Sequence, residues 1–165
     1  VYLWHDARGE FAGPPRALEG EWIPEPPGRL VFAPDASRRC AVVLDKTRGK
    51  KPSVFEAELS EPLPAGHYRL VVRAKTDAPG ILEKLLIISL QAGRREMELR
   101  AASVAGSDFE AADAYREFSW GFVQARSEPQ PIVLKFLFTG RAALTVDYLD
   151  IRPAEGNGAE GGGRP

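Results

Sequence analysis

Residues 66–75, GHYRLVVRAK, place Tyr68, Leu70, Val72 and Ala74 on one parity and Arg69, Val71, Arg73 and Lys75 on the other. A period of two marks a strand that covers a core with one face and turns the other to water. Short apolar or alternating runs of this kind recur around 18–23, 30–33, 40–44, 53–59, 67–75, 85–91, 95–100, 115–123, 132–138 and 143–151. Turn chemistry separates them: PEPPG at 24–28, RGKKP at 48–52, PLPAG at 62–66, DAPG at 77–80 and SEPQP at 127–131. The pattern predicts an all-β chain. In ILEKLLIISLQ at 81–91, Ile81, Leu82, Leu85 and Leu86 also fit a helical spacing. The β-branched IIS and the Ala92-Gly93 turn favour a strand there. GSDFEAADAY at 106–115 reads as a single helical turn before its strand.

About ten strands in one domain must stack or close, because open edges invite aggregation. The predicted architecture is a jelly-roll β-sandwich of two antiparallel sheets. Phe118, Trp120 and Phe122 share a parity, as do Ile132, Leu134, Phe136 and Phe138, and both sets are core candidates. Residues 1–15 read as a lead-in, 16–153 as the sandwich and the Gly-rich 154–165 as a flexible tail or linker. The chain starts at Val1 without a charged-then-apolar leader, which reads as a processed product or an excised module.

Composition narrows the chemistry. At 165 residues the chain can bury roughly 70% of its unfolded surface without a staple. One cysteine, Cys40, leaves no internal disulfide and no multi-cysteine metal site, and two histidines exclude an all-histidine zinc site. A formal charge of −1 with interspersed signs gives no general attraction to nucleic acid or to an anionic membrane. No apolar run reaches the roughly 18 residues of a spanning helix.

Four segments in order resemble the galactose-binding-like jelly rolls, above all carbohydrate-binding modules of families six and thirty-five. LEGEW at 18–22 is similar to their Glu-Ala-Glu opening, and APDASRRCAV at 33–42 to the strand that follows it. LPAGHYRLVVRAK at 63–75 resembles their Gly-x-Tyr-x-Leu-x-Val-Arg segment. AYREFSWGF at 114–122 and ALTVDYLDI at 143–151 resemble the Tyr-x-x-Phe strand and the closing Asp-bearing strand. The chain departs from that pattern in a Gly between the two Glu and in Arg38-Arg39 at a Gly pair. The resemblance implies a secreted or cell-surface bacterial protein in which this module sits beside other domains.

It also implies a structural calcium held by Glu19, Glu21 and Asp147. Glu19 and Glu21 are two apart, so on a strand their oxygens point the same way and suit a hard cation. The alternative is that the two glutamates are solvated and that Asp147 pairs with an arginine. Glycoside hydrolysis needs two facing carboxyls about 5 to 9 Å apart, a spacing that 23 acidic residues leave open. A jelly-roll polysaccharide lyase would show a Tyr, His and Arg or Lys cluster, of which His67 beside Tyr68 is the only trace. No Gly-x-Ser-x-Gly elbow occurs. GNGAEG at 156–161 matches Gly-x-Gly-x-x-Gly but has no room for the helix that a phosphate site requires. The basic KTRGKKP at 46–52 lacks interleaved aromatics and reads as a solvated hairpin loop.

Sugar binding draws on flat rings for pyranose C–H faces and on polar side chains for hydroxyls. Trp120 is core by parity, Trp4 lies in the lead-in and Trp22, beside a proline run, is the best exposed ring. The outward parity of three strands offers Arg69, Arg73 and Lys75, then Glu117, Ser119 and Gly121, then Val133, Lys135 and Leu137. If these strands share a sheet, Ser119 and Gly121 leave a hollow flanked by cations and an acid, suited to a polyol or an acidic sugar. The resembled modules more often bind at the loop-bearing edge, which would bring in Trp22 and the 77–83 and 106–113 loops instead, so the candidate ligand contacts of a non-catalytic module for oligo- or polysaccharides are Trp22 at that edge or Arg73, Glu117, Ser119 and Lys135 on the sheet face. A spacer or protein-interaction sandwich is the alternative, and the same face would then be solvated exterior.

Overall fold

The computed structural model describes residues 28–37, 39–46, 52–58, 63–92, 97–125 and 132–154. The lead-in, Trp4, Glu19, Glu21, Trp22 and nearly all of the tail lie outside the described residues. Among the described residues nine strands follow one another: β1 (Arg29–Phe32), β2 (Cys40–Leu44), β3 (Ser53–Glu58), β4 (Gly66–Thr76), β5 (Lys84–Ala92), β6 (Met97–Ala105), β7 (Arg116–Gln124), β8 (Ile132–Phe138) and β9 (Leu144–Pro153). They build a five-stranded sheet ordered β1-β2-β9-β4-β7 and a four-stranded sheet ordered β3-β8-β5-β6. Every neighbouring pair is antiparallel.

The alternation read from the sequence decides which side chains meet between the sheets. Tyr68, Leu70, Val72 and Ala74 of β4 are buried against Ile132, Leu134, Phe136 and Phe138 of β8 in one core. Each fully buried ring or leucine there contributes about 1.5 to 3 kcal/mol relative to exposure. β5 settles the ambiguous stretch as a strand: Leu86, Ile88, Leu90 and Ala92 are buried while Ile87, Ser89 and Gln91 are half-buried. Tyr68 stacks on Phe122 and donates its hydroxyl to the Pro64 carbonyl at 2.9 Å, tying the PLPAG turn to the core. The helical turn before β7 is a single 3-10 turn at Gly106–Asp108.

Turn glycines do the work their positions require. Gly80 closes DAPG with φ +84°, a region closed to most side chains. A Cβ at Gly106 would lie 2.3 Å from Ile81 Cγ1 and 2.7 Å from the Ala78 carbonyl oxygen, so only glycine lets the 77–83 loop press onto the 3-10 turn.

Two placements depart from simple alternation. β7 closes its sheet at one edge, and the strand it meets in the other sheet is the edge strand β6, whose inward residues include the small Ala102. Phe118 and Trp120 therefore point inward but stay only half-buried, while Phe122 is covered. The second departure is a bulge: Arg73 faces Tyr148 and Ala74 faces Val146, so Asp147 is the extra residue of β9.

Candidate functional site

The outer face of the five-stranded sheet is where the cationic parity of β4 emerges, between β7 on one side and β9 on the other. Its rows follow from the register: Gly121, Arg69 and Arg152; then Ser119, Val71 and Asp150; then Glu117, Arg73 and Tyr148. The sheet thus brings Arg73, Glu117 and Ser119 together, as the sequence suggests. Lys135 is not with them. β8 belongs to the four-stranded sheet, where Lys135 faces outward beside Glu56 at 3.4 Å. Its parity was read correctly, but parity carries no information on which sheet a strand joins.

Most of the charge on this face is consumed internally. The bulge turns Asp147 onto the outer side, where its fully buried carboxylate takes a hydrogen bond from Arg73 Nη1. The Ser37 amide donates to both Asp147 oxygens at 3.0 and 3.1 Å, and the Ser37 hydroxyl donates at 2.8 Å. The Ala33–Arg39 loop is thereby fastened over the sheet, burying Ala33, Ala36 and Ala41 with Val31 and Tyr115 packed against them. Lys75 donates to Asp35 at 2.6 Å, and that bond holds the Asp35 carboxyl below its ordinary pKa. Arg73 and Lys75 both lie over the Tyr115 ring, at 4.4 and 4.6 Å from its centroid. Burial first, and the Asp147 charge second, push the Tyr115 hydroxyl up to about 12.

Asp147 as placed does not offer a free carboxylate to a cation, since a guanidinium already holds its charge. Among the described residues no group of three or more His, Cys, Asp or Glu is arranged to hold a metal. The expected partners Glu19 and Glu21 lie outside the described residues.

Farther along the face, Tyr148 of β9 reaches across β4 to donate its hydroxyl to Glu117 of β7. Burial, then that bond, raise the Tyr148 hydroxyl above its ordinary pKa. Arg152 lies over the Tyr148 ring at 5.4 Å, pairs with Asp150 at 2.9 Å and approaches Glu117 at 3.8 Å. These side chains roof Val71, which is only 2% exposed despite its outward parity. The predicted hollow is consequently filled on the β9 side and open on the β7 side, where Arg69, Ser119 and Gly121 are exposed. Tyr148, Asp150 and Arg152 escaped sequence reasoning because the bulge at Asp147 shifts the parity of β9 in mid-strand.

A second feature sits on the other side of β7. Phe118 and Trp120 stack with centroids 6.1 Å apart and planes 13° from parallel, and Phe109 meets Phe118 edge-on at 5.2 Å. Beside these rings Arg116 binds the Asp108 carbonyl at 2.6 Å and Glu110 at 3.2 Å, drawing the 106–113 loop toward the strip. Parity had placed Trp120 in the core. It does pack on the core, but at a rim where neither edge strand covers it.

Solved structures share this two-sheet arrangement. The carbohydrate-binding module CBM6cm-2 of Cellvibrio mixtus lichenase 5A, in complex with cellotriose, superposes with a TM-score of 0.53 at 9% identity, covering 85% of this chain and 98% of that one. The fold is a jelly-roll β-sandwich like that of these modules. A family 35 module from an environmental isolate gives a TM-score of 0.51 at 9% identity, covering 80% of this chain and 90% of that one. An arabinose-bound α-L-arabinofuranosidase contains the same jelly roll, with a TM-score of 0.51 at 9% identity over 79% of this chain; the chain spans only 22% of that enzyme. No protein-family model matches the sequence, and no curated protein does.

Proposed function

We propose that this jelly roll is a non-catalytic glycan-binding module of a larger secreted or cell-surface bacterial protein. The observation that carries the reading is the half-open Phe118 and Trp120 stack at the β6 and β7 rim, beside a loop bearing Asp108, Glu110 and Asp113. Rings held by a core are rigid, so they offer flat apolar area at little entropic cost, and pyranose C–H faces match them. The carboxylates and Arg116 supply partners for hydroxyls around that platform. The shared fold supports the reading, since the solved neighbours include modules that carry sugars. On the outer sheet face each described acid already serves a cation or a tyrosine, which favours binding over acid-base cleavage. A shallow rim of this kind suits micromolar to millimolar affinity, about −4 to −8 kcal/mol.

Calorimetry against cellotriose, arabinan, galactan and xylan fragments tests the reading, with Trp120→Ala as the diagnostic variant and its thermal melt as the folding control. Binding that falls at least tenfold in a folded Trp120→Ala supports the platform. Binding that instead depends on Trp22 would move the site to the N-terminal segment. Accumulation of reducing ends would identify an enzyme, and silence across the panel would leave a spacer or protein-interaction domain.

A further inference from the structure

Among the described residues of β4, β7 and β9, the charge pairing on the outer sheet face leaves one arginine over. Arg73 is held by Asp147, Lys75 by Asp35 and Arg152 by Asp150. Arg69 is exposed and makes no ion pair or hydrogen bond among the described residues. The register sets it directly opposite Arg152, whose own charge is taken by Asp150, so no acid of β9 is left for Arg69. On its other side stands Gly121, with Ser119 next along β7 on the same face. A Cβ at Gly121 would meet nothing closer than the Tyr68 carbonyl oxygen at 3.9 Å, so the space beside the Arg69 stem is open. Ser119 is exposed and its hydroxyl makes no hydrogen bond among the described residues.

We infer that this notch, formed by Arg69, Ser119 and the gap at Gly121, is an anion subsite that takes the carboxylate or sulfate of an acidic saccharide. A guanidinium presents two parallel N–H groups that match the two oxygens of such a group, and a charge-assisted pair of this kind is about twice as strong as a neutral one. The Ser119 hydroxyl supplies a further bond. The missing side chain at position 121 is what admits the group, since the neighbouring row is already roofed by Tyr148 and Arg152. A neutral sugar has no charge to offer Arg69, so the notch selects by charge where the aromatic rim selects by shape. The two features lie on opposite sides of β7, so the subsite stands whether or not the rim binds a glycan.

The test compares cellotriose, its uronic-acid trimer and its 6-sulfated counterpart by calorimetry and by amide chemical-shift changes on β4 and β7, at low and at physiological salt. The expected result is binding of a charged trimer at least tenfold tighter than that of cellotriose, weakened by salt. Arg69→Ala and the gap-filling Gly121→Val should each abolish that preference, while Trp120→Ala leaves the shift changes at Ser119 and Gly121 in place. The uronate and sulfate arms tell which anion the notch accepts. Equal affinity for all three trimers, or a charged preference that survives both Arg69→Ala and Gly121→Val, overturns the inference. Loss of all binding in Trp120→Ala with no residual shift at Ser119 overturns it as well, because the notch would then have no affinity of its own.

Discussion

Removing the Asp147 carboxylate should be among the costlier single changes in this domain. The group is fully buried and accepts hydrogen bonds from Arg73 and, twice over, from Ser37, so Asp147→Ala strands a guanidinium and two further donors. Breaking a buried pair costs about 3 to 5 kcal/mol when the survivor stays dry. Arg73 keeps 27% of its side chain exposed, and water can partly replace its partner, which lowers the expected penalty to about 2 to 4 kcal/mol. For a chain of 165 residues that corresponds to roughly 5 to 15 °C in Tm. Arg73→Ala should cost at least as much, because it leaves the carboxylate buried and unpaired. The double variant should be clearly less destabilised than the sum of the two, with a coupling of about 1 to 3 kcal/mol. Urea and thermal unfolding of the four proteins supply the cycle. The Asp147→Ala penalty should be the same in EDTA and in excess calcium, since Arg73 already neutralises the carboxylate. A penalty under about 0.5 kcal/mol, or strict additivity, would refute the account of this pair as the fastening of the Ala33–Arg39 loop. A calcium-dependent rise in Tm that disappears in Asp147→Ala would show a cation displacing the guanidinium.

Three further outcomes follow from the same face and its surroundings. The Tyr115 hydroxyl is buried without a partner among the described residues, so Tyr115→Phe should leave stability unchanged or raise it by up to about 1 kcal/mol in urea unfolding. Because its folded pKa stands near 12, above the unfolded value near 10, the stability it protects is complete below pH 10 and drains away as pH rises toward 12; the Phe variant should lose that part of the alkaline decline, and absorbance titration should show a late-ionising tyrosine. Asp35 works in the opposite direction: its folded pKa is depressed by Lys75, so its contribution is present above the unfolded value near 3.9 and is lost as pH falls through the folded one, and Lys75→Ala should flatten that acid limb in melts across pH 2 to 5. Gln124 is buried at 1% exposure with neither amide atom bonded among the described residues, and Gln124→Leu should raise unfolding free energy by about 1 kcal/mol; a loss instead would show that the amide has a bound partner.

Among the described residues, the sequence alone determined where the strands run and most of the core. Alternation in GHYRLVVRAKT and IVLKFLF is a one-dimensional property, and burial follows it residue by residue because a strand has only two faces. The DAPG turn was equally legible, since Gly80 meets a local backbone requirement that needs no partner. Even the outward parity of Arg73, Glu117, Ser119 and Lys135 was correct. What parity could not supply was neighbourhood: Lys135 lies on the other sheet because strand order is fixed by long-range pairing, which leaves no trace in the alternation of β8. Nor could it supply the bulge at Asp147, a single extra residue that reverses the faces of half a strand and brings Asp147 onto Arg73 and Tyr148 onto Glu117. Trp120 shows the same limit, for its inward parity is a matter of its own strand while its half-exposure depends on β6, the edge strand opposite. Local periodicity thus decided which residues could form a core or a surface, and only the pairing of distant strands decided which surface residues meet and whether their charges are spent on one another or left for a ligand.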